Sequence, residues 1–187
     1  MDRTEVLAIE IKQFVGAQGL RSSVPRVVGQ TAKAQVQKSS GKRTIKTEEE
    51  FFEALQDRSP TDAGVARKIL DWSRQNFSHV NWKGSSFVLL LEYGADFSHN
   101  PITVFVGGKV PRVGIKFGRL KNRNGMPEEK RIELLRRLNN IPGVRLSPDS
   151  IDKYPNILLS TLANDDALEQ FLRAIARTNE EVKATKS

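Results

Sequence analysis

Glu10 and Lys12 are the two side chains whose types and spacing most invite chemistry. They flank Ile11 in Val6-Leu7-Ala8-Ile9-Glu10-Ile11-Lys12, a β-branched run that reads as a strand. Residues two apart on a strand face the same side, so a carboxylate and an ammonium are presented together. The carboxylate can hold a divalent cation such as Mg2+. The lysine can orient or help deprotonate a water, or offset charge on a phosphoryl group. Phosphodiester hydrolysis needs at least one more carboxylate, because a single protein ligand holds Mg2+ poorly. Judged by spacing alone, Glu-x-Lys is also the ordinary solubilising pair of an exposed strand face.

The surrounding charge favours a polyanion. The chain has 187 residues, 30 Lys plus Arg, 22 Asp plus Glu, and a formal charge of +8. Residues 1–47 hold 9 of the cations and 3 of the acids, so most of the excess sits in the first quarter. Arg21, Arg26, Lys33, Lys38, Lys42 and Arg43 are therefore candidate contacts to a DNA backbone. The alternative is a basic linker attached to a protein-interaction or regulatory module. A second basic group holds Lys116, Arg119, Lys121 and Arg123, with Lys130 and Arg131 nearby. Phe117 lies among them and could stack on a base. It shares its side with Val113 and Ile115, however, which points it at a core, and Glu128 and Glu129 dilute the patch.

Several chemistries are excluded or unsupported. With no cysteine, disulfides and thiolate-bound metals are excluded, and a cytoplasmic location is expected. No run approaches the roughly 18–20 apolar residues of a membrane-spanning helix, and the charged opening Met1 to Glu5 is unlike a signal peptide. His79 and His99 are the only imidazoles, both at loop edges, and are expected to be exposed. Gly107-Gly108-Lys109 reads as a turn, since a phosphate-binding loop needs a longer glycine-rich connection. Neither Ser22-Ser23 nor Ser85-Ser86 has the context of an activated nucleophile.

The elements that must position these residues fall into two parts. After the first strand, Gly16 and Gly19 predict a loop, and a helix is expected over residues 27–38, following Pro25. Residues 39–43 read as an exposed linker. A second module begins at Thr47, whose hydroxyl and Glu50 have capping-box spacing. Helices are expected after Thr47, over 62–76, over 128–139 with Ile132, Leu135 and Leu138 inward, and from about Asn164 with fraying past Thr178. Strands are expected over 86–92, 102–106 and 112–117, with a short one over 157–160. The predicted class is α+β: an antiparallel sheet of three or four strands packed by about four helices, with a basic strand–helix appendage. The expected divisions are 1–46, 47–182 and a polar tail over 183–187.

Two stretches carry a resemblance. The run from Val6 to Lys12, followed by Val24-Pro25-Arg26-Val27-Val28-Gly29-Gln30-Thr31-Ala32-Lys33-Ala34-Gln35, resembles the core strand and following helix of a PD-(D/E)xK-type nuclease domain. The whole chain is also similar to bacterial proteins in which such a segment precedes an α+β domain. That similarity lies in Asp71-Trp72, the Phe87 strand, the stretch Leu138-Asn139-Asn140-Ile141-Pro142-Gly143-Val144, and the helix from Leu162-Ala163 to Phe171. The resemblance implies Glu10 as a metal ligand for Mg2+, Lys12 as the catalytic lysine, and Gln30 near the substrate backbone. It also implies an aspartate from a preceding strand. Asp2 lies on the same segment and, if that segment is extended, about 25 Å from Glu10. The expectation is thus a truncated, nuclease-derived segment, inactive alone, whose strand pairs with the edge of the second module's sheet, pairs with a second copy or another chain, or stays loose.

Overall fold

The first strand finds its partner within its own chain. In the computed structural model, which describes residues 8–15, 21–28, 47–93 and 97–185, Ala8–Val15 (β1) pairs antiparallel with Arg21–Val28 (β2). The register runs from Ala8 opposite Val28 to Val15 opposite Arg21. This hairpin replaces the beginning of the expected helix: Val27 and Val28 close β2. Their β-branched side chains are stiff in a helix and suit a pleated ribbon, and the ladder sets them opposite Ile9 and Ala8. Pro25 is compatible with this pairing because a two-stranded ribbon has open edges that need no donor. The rest of the expected helix, with Gln30, Lys33 and Lys38, and the linker residues Lys42 and Arg43 lie outside the described residues.

The chain divides into two units, Met1–Arg43 and Thr44–Ser187. In the second, six strands form one antiparallel arrangement: His79–Trp82 (β3), Ser86–Tyr93 (β4), Phe97–His99 (β5), Ile102–Phe105 (β6), Arg112–Ile115 (β7) and Asn156–Leu158 (β8). Their order is β3-β4-β6-β7-β8, and β5 pairs β4. Five helices accompany them: Glu48–Gln56 (α1), Pro60–Asn76 (α2), Phe117–Asn122 (α3), Glu128–Asn139 (α4) and Asp165–Ala184 (α5). The fold is α+β, with an antiparallel sheet packed against several helices.

Both faces of the central strands are largely buried, and one of them carries the apolar core. Phe87 and Leu89 of β4, Ile102 and Val104 of β6, and Val113 and Ile115 of β7 are fully buried. They join Phe51 and Leu55 of α1, Ile69 of α2 and Phe171 of α5 in one core. Phe51 meets Trp82 and Phe87 edge-on at 5.2 and 5.3 Å between ring centroids, a favoured aromatic geometry. The helices begin where capping chemistry allows. The Thr47 hydroxyl accepts from the Glu50 N–H at 3.2 Å, Ser59 caps α2 ahead of Pro60, and Asn164 caps α5.

Four departures from the expected elements have physical causes. The third strand stops at Ile115, and α3 follows, because one helical turn sends both Phe117 and Leu120 into the core. On α4, Ile132 is 39% exposed while Arg131 is 4% exposed. The Arg131 guanidinium donates to the carbonyls of Met126 and Ile151 at 2.5 and 3.0 Å and to Asp152 at 3.1 Å. A cation so fully hydrogen-bonded tolerates the inner face. Helix α5 continues past Thr178, which is itself buried and donates to the Ala174 carbonyl, and Val182 packs into the core.

The fourth departure is His99, which is fully buried at the end of β5. Its Nδ1 lies 3.1 Å from Oδ1 of Asn124. Burial holds its pKa down at about 4. The hydrogen bond with Asn124 opposes that shift, and the charge of Arg119 adds to it. His79, by contrast, is exposed and sits 3.1 Å from Glu92.

Candidate anion site on the open face of the sheet

The residues between the core positions point to the other face of the sheet, away from the helical core. The register aligns Ser86 with Phe105 and Phe105 with Arg112, and it aligns Val88 with Thr103 and Thr103 with Gly114. This face carries a pocket of about 350 Å3. Ser86, Val88 and Thr103 form its strand side, and Lys83 and Asn100 enter from the ends of neighbouring strands.

Two aromatic rings and two cations complete it. Phe105 lies across β7 where Gly114 has no side chain. A Cβ there would stand 3.0 Å from Phe105 Cε2 and 3.1 Å from Asn156 Oδ1. Tyr154 lies against α3 at Gly118, where a Cβ would stand 2.9 Å from the Tyr154 Cζ. Backbone hydrogen bonds fix both segments: Lys116 N–H donates to Pro101, Gly118 N–H to Lys153 and Ile115 N–H to Pro155, all within 2.9 Å. The Lys116 ammonium is thereby held 5.4 Å from the Phe105 ring centroid and 5.5 Å from that of Tyr154, within cation–π range.

The electrostatics of this pocket are unbalanced. Burial lowers the Lys116 pKa, and the neighbouring charge of Arg119 lowers it further. Arg119 is lowered too, by burial first and then by Arg123. Among the described residues, no carboxylate pairs with Lys83, Lys116 or Arg119. Two buried polar atoms here, Arg119 Nε and Asn100 Oδ1, have no hydrogen-bond partner, and Asn100 is 8% exposed. Clustered, partly desolvated cations without counter-charges favour an anion. The crevice between α4 and α5 gives the contrast. Its Arg137, Arg173 and Arg177 are each matched by Glu133, Glu169 or Glu181.

No protein family, curated protein or solved structure matches the chain. None of these comparisons bears on the nuclease resemblance of residues 6–38. There, Glu10 and Lys12 occupy alternate positions on one face of β1, and the register sets Arg26 opposite Glu10 and Val24 opposite Lys12. Arg21 opens β2, opposite Val15. Glu10 is the one carboxylate among the described residues of the hairpin, and no group of three metal-ligating side chains occurs among the described residues of the chain. Mg2+ calls for several oxygen ligands, and Glu10 is the carboxylate that the described part of the hairpin offers.

The second basic group splits. Lys116 and Arg119 enter the pocket, while Lys121 pairs with Asp152 at 2.8 Å and Arg123 donates to Ser98 Oγ at 3.4 Å. Phe117 is in the core. Sequence reasoning misses Lys83, Asn100, Phe105 and Tyr154. Phe105 leaves one signal, an aromatic residue on the polar phase of Ile102-Thr103-Val104-Phe105, whereas Tyr154 sits in an irregular segment and leaves none.

No helix among the described residues is long and apolar enough to cross a membrane.

Proposed function

We propose that this chain associates with nucleic acid and holds phosphate through Lys116 and Arg119, with Lys83 beside them. The supporting observation is a pair of partly buried cations, unmatched by any described carboxylate, lining a pocket together with Ser86, Asn100 and Thr103. Phosphate oxygens supply the missing charge and accept from both side chains. The basic residues of the first 47 positions add sequence-independent attraction to the same kind of partner. A cytoplasmic location agrees with a cysteine-free chain.

In this reading the N-terminal hairpin descends from a PD-(D/E)xK-type nuclease core, and Glu10 and Lys12 are the surviving positions of its strand. On this reading the chain binds without cutting, because a single carboxylate beside that lysine holds Mg2+ poorly. DNA cleavage with Mg2+ that disappears in Lys12→Ala contradicts this.

The direct test is retention of a labelled oligonucleotide by the full chain at one low salt concentration. Binding that weakens about ten-fold in the Lys116→Ala, Arg119→Ala double variant supports the proposal. An unbound oligonucleotide at low salt refutes it and leaves the chain as a protein-interaction module.

A further inference from the structure

The pocket holds more than a phosphate needs. An anion site requires cations and N–H donors, yet here two aromatic rings flank the cation closest to them. Tyr154 is 54% exposed, so its ring is available to a ligand. Glycine at 118 leaves room for that ring against α3, and glycine at 114 leaves room for Phe105 across β7. Asn100 adds a buried carbonyl oxygen with no donor, the complement of an amino or imino group on a base edge. Polar, aromatic and cationic groups thus converge within a single concavity.

Resting on the nucleic-acid reading above, we infer that the ligand is single-stranded and that one unpaired base stacks on Tyr154 or Phe105 while its phosphate meets Lys116 and Arg119. A base inside a duplex offers only its edge to a protein, and its faces are covered by neighbouring bases. Only an unpaired or extruded base can place a face on a ring within such a pocket. Asn100 is one of the pocket-lining residues, and its buried side-chain oxygen has no donor.

The experiment measures binding of the full chain, at fixed salt, to four labelled or competing probes. These are a single strand, a blunt duplex of equal length, an abasic strand with the same phosphates, and a mononucleotide. The single strand is expected to bind at least about five-fold more tightly than the abasic strand, the low end of a base–aromatic stack, and more tightly than the duplex. Tyr154→Ala is expected to lower single-strand affinity more than abasic-strand affinity, so that the ratio of the two falls toward one, and Tyr154→Trp to retain the ratio. The exposed Tyr154 ring makes these variants fold-neutral, and Phe105→Leu provides a second variant. Equal affinity for intact and abasic strands overturns the stacking inference and leaves phosphate binding standing. A duplex preferred over the strand, or a mononucleotide that outcompetes it, also overturns the inference. Failure of all four probes to bind removes both readings.

Discussion

The ammonium of Lys116 lies 5.5 Å from the centre of the Tyr154 ring. These residues are far apart in sequence and meet because backbone hydrogen bonds tie the segment after β7 to residues 153–155. The same arrangement places Arg119 at the pocket and makes its charge felt at His99. The pocket and a buried polar cluster therefore share one short helix.

Salt dependence should report the two pocket cations. Each phosphate contact contributes about 0.7 to the slope of log affinity against log salt for a single strand. The Lys116→Ala, Arg119→Ala double variant is expected to lower that slope by about 1 to 1.5, measured by fluorescence anisotropy across a salt series. An unchanged slope means that neither side chain meets phosphate.

Gly118→Ala separates the site from the fold. The added methyl meets the Tyr154 ring at 2.9 Å, and an exposed ring can swing aside. Thermal unfolding is expected to change by less than about 1 kcal/mol, while single-strand affinity falls as it does in Tyr154→Ala. Full affinity in this variant contradicts the placement of Tyr154 at the ligand.

How much of this was legible from residue letters varies by element. Thr47 with Glu50, and Pro60 after Ser59, mark helix starts by local chemistry, and the alternation of Val113 and Ile115 marks a strand with one covered face. Glu10 and Lys12 could be set on one face because period-two geometry needs no partner. The hairpin was harder, since Pro25 followed by Val27-Val28 is compatible with a helix start until the pairing with Ala8 and Ile9 is known. Burial of polar residues was the least accessible. Arg131, His99 and Thr178 are inside because particular carbonyl or amide groups meet them there, and those partners lie elsewhere in the chain or on the preceding helical turn. The pocket required a sheet register and two loop closures, so only Lys116 and Arg119 were in view, without their rings.

His99 gives the fold a pH signature. Its folded value of about 4 lies below the ordinary 6.5, so the unfolded chain takes up the proton first as pH falls. The stability linked to this group is complete above about pH 6.5 and declines toward pH 4, by about 3 kcal/mol across that window. Urea midpoints at several pH values should show the decline, and His99→Gln should flatten it relative to the parent. Parallel curves for both proteins contradict a buried neutral imidazole.

Arg131 tests the reading of a structural cation against a ligand cation. Arg131→Ala leaves the Met126 and Ile151 carbonyls without their donor and Asp152 with Lys121 as its remaining partner. A loss of about 2–4 kcal/mol is expected in chemical unfolding, with oligonucleotide affinity unchanged at temperatures where the variant is folded. A selective loss of binding would move Arg131 into the ligand surface.

The most direct measurement is a backbone-amide NMR titration of the full chain with a short single-stranded oligonucleotide. Shifts concentrated at Thr103, Phe105, Lys116, Arg119 and Tyr154, and saturating together, are the expected result. Saturable shifts confined to other surfaces, with these five amides unmoved, contradict the assignment of the Lys116–Arg119 pocket as the place where this chain holds nucleic acid.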